Sequence, residues 1–153
     1  MPPADDGPVS VLFACTMNVV RSPMAAGILG HLMGRRMRVT SAGVRAGEPD
    51  PYAVAVMDEI GIDISDHEPR MLKDIGDETF DQIFTLSPEA HHHALELTRI
   101  MAAEVEYWPT EDATVFSQYE GREELLGHYR HVRDQLFRRI KTRFLPESGG
   151  PTV

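Results

Sequence analysis

The chain is 153 residues long and 42% hydrophobic, enough to bury one sizeable core and too short to suggest two domains. Its formal net charge of -9 disfavours nucleic acid and anionic membranes as partners without excluding a local anion site. No apolar run approaches the ~18 residues of a membrane span, and the acidic, proline-rich start MPPADDGP lacks the basic and apolar regions of a signal peptide, so a cytoplasmic location is expected.

In chain order, VSVLFA (Val9–Ala14) reads as a short buried strand bounded by Pro8. SPMAAGILGHLM follows as a helix, with Ser22 as its cap, Pro23 in the first position and apolar residues at helical spacing. MRVTSAG (Met37–Gly43) is a second strand, and a helix from Pro51 to Glu59 is stopped by Gly61. FDQIFTLS (Phe80–Ser87) is a third strand, Pro88 opens a helix through Ala102, and Val105–Trp108 is a fourth strand. A last amphipathic helix is expected over Gln118–Phe144, with Gly121 and Gly127 as candidate breaks. Strands separated by helices imply an α/β three-layer sandwich, a central four-stranded parallel sheet with helices on both faces. One domain is expected over 8–145, with 1–7 and 146–153 as disordered tails.

Cys15 is the only cysteine, so it forms no internal disulfide and no structural zinc site; it is either an inert core filler or a reactive group. It stands where the first strand ends, and in an open parallel sheet ligands bind beyond the carboxyl ends of the strands. The backbone N–H groups of Thr16, Met17, Asn18, Val19, Val20, Arg21 and Ser22, with the start of the next helix, can converge on an anion there. Arg21 adds a planar fork suited to two phosphate oxygens, Asn18 can hold the left-handed turn such a loop needs, and Ser22 can donate to sulfur. The same donors stabilise a sulfur anion, which can attack phosphorus in line to give a phosphocysteine.

CTMNVVRSP resembles the signature loop of the low-molecular-weight protein tyrosine phosphatases, usually C-x-G-N-x-C-R-S-P directly after the first strand. The resemblance runs nearly end to end: TSAGVRAGEPDPYAVAVMDEIGIDISDHEPRML matches the family's S-A-G, G-x-P-x-D and G-I-D-x-S-x-H segment, and FDQIFTLS its F-D-x-I strand. It implies Cys15 as nucleophile, Arg21 as phosphate binder, and Asn18, Ser22, Ser41 and His67 as the polar network that holds the loop in shape. A departing oxygen needs a proton donor, which the family carries in a late Asp-Pro pair. Here YWPTEDATVF occupies that place; Asp112 aligns best, Ala113 stands where proline is usual, and Glu111 competes for the role.

Departures from the pattern bear on substrate. Met17 replaces a glycine, Val20 a frequent second cysteine, and Ser87 an aspartate. Where the family places aromatic walls, this chain has Val44, Arg45 and Ala46, then Thr114 and Val115. His91, His92 and His93 point to different sides of a helix and make a poor metal site, and the basic stretch RDQLFRRIKTR reads as a solvated helix face. The expected activity is phosphomonoester hydrolysis, of a phosphotyrosine protein or a small aryl phosphate, with inorganic phosphate or another oxyanion fitting the loop and without cofactor or metal. The alternatives are a single-cysteine arsenate reductase or arsenate-thiol transferase, and a non-catalytic phosphate-binding module.

Overall fold

A computed structural model describes residues 9–75, 78–116 and 121–145. Its centre is β1 (Val9–Cys15), whose residues Val11 to Ala14 are fully buried. A strand covered on both faces must be apolar at successive positions, which is why VLFA runs without alternation. β1 is flanked by β2 (Met37–Gly43) on one side and β3 (Gln82–Thr85) on the other, and β4 (Glu104–Tyr107) pairs with β3 as an outer edge; all pairings are parallel, in the order β2-β1-β3-β4.

The period of two along β1 divides the core. Val11, Phe13 and Cys15 face a cluster with Met24, Ile28 and Leu29 of α1 (Arg21–Met33), Val56 of α2 (Pro51–Asp58), and Val132 and Leu136 of α4 (Arg122–Phe144). Leu12 and Ala14 face the opposite layer, with Ala90 and Ala94 of α3 (Pro88–Leu97). This parity aims the Cys15 side chain toward the α1 and α4 layer.

Several boundaries differ from the sequence expectation. Ser22 does not cap α1: the helix starts at Arg21 with Val20 in the capping position and no side-chain cap, because the Ser22 hydroxyl is engaged in the preceding loop. The third strand is Gln82–Thr85 rather than Phe80–Ser87, since Ser87 leaves the sheet to cap α3 by accepting from the Ala90 amide at 3.2 Å. α3 ends at Leu97 instead of Ala102: the amides of Thr98, Arg99 and Ile100 bond three residues back, a tightened turn, and the Thr98 hydroxyl donates to the Leu95 carbonyl at 2.7 Å. α4 runs unbroken through Gly127, which faces open space; the expected start at Gln118 lies outside the described residues, as do both expected tails.

Candidate active site

β1 delivers Cys15 to the carboxyl edge of the sheet, and residues 16–20 curl over it before α1 begins. The sulfur accepts from the amides of Asn18 at 3.3 Å and Ser22 at 3.4 Å and lies 2.9 Å from Ser22 Oγ. Asn18 makes the curl possible. Its φ of 57° is in the left-handed region, tolerated by a short polar residue, and its buried side chain ties three segments together. Asn18 Nδ2 donates to Ser22 Oγ at 2.8 Å and Ser41 Oγ at 3.0 Å, and Oδ1 accepts from the Arg70 amide at 2.9 Å. The Asn18 carbonyl lies 2.9 Å from His67 Nε2.

The segment after β2 supports the loop through backbone alone. Val44, Arg45 and Gly47 donate their amides to the carbonyls of Cys15, Thr16 and Met17. This approach is so close that a Cβ on Gly43 would sit 2.5 Å from the Arg45 carbonyl oxygen and 2.8 Å from the Asn18 nitrogen. On the α3 side, the Thr16 hydroxyl donates to Ser87 Oγ at 3.0 Å.

Arg21 is 8% exposed and reaches the segment that follows β4: Nη1 donates to the Thr110 carbonyl at 3.0 Å, and Nη2 lies 3.8 Å from Asp112 Oδ2. The other Asp112 oxygen accepts from the amide and hydroxyl of Thr114, at 3.0 and 2.6 Å. Cys15, Met17, Val19, Val20, Arg21, Asp112 and Thr114 line one small pocket. Glu111 is outside it, 3.9 Å from His131 on α4. Ala113 is buried in the core, so the turn is anchored by packing at the position where proline would stiffen it. A floor of sulfur and backbone donors, one guanidinium and one carboxylate at the wall suits binding and cleavage of a tetrahedral oxyanion.

The profile described as low molecular weight phosphotyrosine protein phosphatase matches residues 10–145. The chain belongs to that family. Among curated relatives, an arsenate reductase of Halalkalibacterium halodurans is 34% identical over 135 residues, 86% of this chain and 92% of its own. A solved low-molecular-weight protein tyrosine phosphatase from T. tengcongensis superposes with a TM-score of 0.70 at 28% identity, covering 88% of this chain and 97% of that one. An arsenate reductase in its phosphate-binding state superposes with a TM-score of 0.66 at 26% identity, over 88% and 95% of the two chains. The family is one of cysteine-dependent enzymes, and its named members here include both activities.

Around this phosphatase-family loop, sequence reasoning missed groups that act through backbone atoms: the Arg70 amide on Asn18 and the Thr110 carbonyl on Arg21. No residue type signals such a role. It also missed Tyr129, whose hydroxyl donates to Asp50 Oδ2 at 2.5 Å and is held well above the ordinary tyrosine range, first by burial and then by that carboxylate. Asp50 Oδ1 in turn caps α2. Among the described residues no grouping of three or more His, Cys, Asp or Glu could hold a metal ion, and no helix is long and apolar enough to cross a membrane. Of the histidine triplet, His91 lies 2.9 Å from Thr85 Oγ1 and stacks on Tyr107.

Proposed function

We propose that the chain is a thiolate-dependent phosphomonoesterase. The observation that carries this reading is the convergence, in one pocket, of the sole thiol of the sequence with Arg21 and Asp112. In this reading the loop amides and Arg21 hold three phosphoryl oxygens, Cys15 Sγ attacks phosphorus opposite the ester oxygen, and Asp112 protonates that oxygen as its bond to phosphorus breaks. The Asp112 carboxylate then takes a proton from water, which attacks the phosphocysteine and releases inorganic phosphate and the thiolate. Ser22 Oγ donates to the departing sulfur. Every step is a proton or phosphoryl transfer, so no second thiol is needed. Arg45, tied at 2.9 Å to each carboxylate oxygen of Glu89, and Thr114 stand where aromatic walls are usual, which supports weak preference for phosphotyrosine peptides over small aryl phosphates.

The relatives favour a second reading, and on their names it stands ahead: the arsenate reductases align over most of this chain. Reduction of arsenate to arsenite takes two electrons. Cys15 would form the arsenic adduct, a thiol from outside the chain would attack its sulfur to release arsenite as a mixed disulfide forms, and a second external thiol would restore Cys15. The two readings share the cradle and differ in the fate of the adduct, water against a thiol.

The test is a side-by-side assay of phosphate release from an aryl phosphate without added thiol, and of arsenite formation from arsenate with a small thiol. Phosphate release that disappears in Cys15→Ser is the expected result. Thiol-dependent arsenite production with negligible phosphate release would sink the hydrolase reading and establish the second, and anion binding with neither turnover would make the protein a binding module.

A further inference from the structure

The basic stretch of α4 is not simply a solvated face. Gln135, Arg138, Arg139, Thr142 and Arg143 recur at three- and four-residue spacing, so they form one stripe along the helix. That stripe and the edge strand β4, with Glu106, Tyr107 and Trp108, enclose an open groove. The groove shares no lining residue with the Cys15 pocket. Its arginines lie along aromatic faces: Arg139 is 5.2 Å from the Trp108 ring centroid, and Arg143 is 5.6 Å from that of Phe84 and 5.1 Å from that of Phe144. One carboxylate enters the groove, Glu106, which accepts from Trp108 Nε1 at 3.0 Å and pairs with Arg143 at 3.4 Å. Among the described residues Glu106 is the one carboxylate that lines the groove with Arg138 and Arg139, and Arg138 also borders a neighbouring pocket with Asp134. In a chain of net charge -9 this is a local excess of positive charge beside a sheet edge.

We propose that this groove docks an extended, acidic segment of a partner protein, laid along β4. In a parallel ladder alternate residues bond to one neighbour. Glu104 and Trp108 donate to the carbonyls of Asp81 and Thr85, so the backbone groups of Val105 and Tyr107 face outward, with no further strand among the described residues. An added strand satisfies them, as in other strand-addition complexes, and the alternate side chains of that strand meet the α4 stripe. Carboxylates on that side find the guanidinium forks of Arg138 and Arg139; a basic or neutral strand leaves both charges without a partner.

The single tryptophan of the chain reads the groove directly, because Trp108 forms part of its wall beneath Arg139. The full chain is titrated with a blocked peptide alternating glutamate with valine or threonine, about five to ten residues long to match an ordinary strand. Binding is followed by tryptophan fluorescence and by calorimetry. Saturable binding is expected that weakens with salt, falls about tenfold or more in Arg138→Glu/Arg139→Glu, and is abolished when the peptide amides that would meet β4 are N-methylated. Turnover of a small aryl phosphate stays unchanged in that variant. The proposal is overturned if no saturable binding occurs, if a lysine-for-glutamate peptide binds equally, if the double variant or N-methylation has no effect, or if a short oligonucleotide binds more tightly than the peptide.

Discussion

Arg21 bonds to the carbonyl of Thr110 and faces Asp112, so one guanidinium joins the anion loop to the acid-bearing segment. Arg21→Lys keeps the charge and loses the fork. It is expected to lower kcat/KM for an aryl phosphate about 10²-fold or more, the scale of losing an oxyanion donor, and near-normal kcat/KM would remove Arg21 from the role. For Asp112 the discriminating variable is the leaving group. Asp112→Asn should lose roughly 10²–10⁴ in rate on phenyl or alkyl phosphates and little on strongly activated aryl esters. If Glu111→Gln shows that dependence instead, the acid is the neighbouring residue. The residues around the pocket that sequence could name are those with distinctive side chains at fixed places: a lone thiol at a strand end, an arginine at the next helix, an asparagine where φ must be positive. The resemblance favours Asp112 over its neighbour Glu111, and the structure adds a physical difference: the turn at Thr114 holds the Asp112 carboxylate against the pocket, while Glu111 lies outside it near His131. The Thr110 carbonyl was not legible, since every residue carries the same atom.

The helices show where local signals end and tertiary ones take over. Pro51 and Pro88 open α2 and α3 as their sequence suggests, each preceded by a residue whose side chain caps the helix, Asp50 and Ser87. α1 carries a cap-like serine in the same pattern, yet that hydroxyl is taken by the sulfur and Asn18, a demand no local rule contains. Gly127 looks like a break and is not one, because flanking Leu125, Leu126 and Tyr129 bury the opposite face and outweigh its cost of about 1 kcal/mol. α2 and α4 are joined at Glu59, which follows α2: Arg133 donates to it at 2.8 Å, and Arg130 at 2.8 to 3.1 Å. Those hydrogen bonds, Arg130's foremost, hold the Glu59 carboxyl down at about 2, below its ordinary 4.5. A depressed carboxylate contributes stability that is complete above the unfolded value and lost as pH falls through the folded one, here between about 4.5 and about 2. Because Glu59 is 39% exposed, solvent screening limits the gain to the range of surface pairs, about 0.2–1 kcal/mol. Glu59→Gln should therefore be less stable than the parent in denaturant titrations near neutral pH and converge with it near pH 2. A gap that persists unchanged at pH 2 would show that the loss is packing rather than charge.

Across the whole molecule, the anion site and the fold are one construction. The loop on Cys15 is held by β2, by the turn near His67, by α3 through Thr16 and Ser87, and by the segment after β4. An oxyanion bound there contacts the native state alone, so saturating inorganic phosphate should raise the melting temperature. At a hundredfold excess over Kd the added stability is about 2.7 kcal/mol, roughly 5–10 °C for a chain of this size. Arg21→Met should abolish most of that shift, and a full shift in the variant would place phosphate elsewhere. The parallel sheet and its two covering helix layers were legible because apolar strands alternate with helices, whereas the strand order and the charged groove between α4 and β4 were not, since helical spacing shows a stripe without showing what stands opposite it. That Cys15 is the sole cysteine gives the protein one last property. With Cys15 as the proposed nucleophile, a colorimetric thiol count on native protein becomes an active-site titration, each mole of reagent consumed marking one molecule whose sulfur is intact and reachable, and the phosphate-protected fraction counts the loops that are correctly formed.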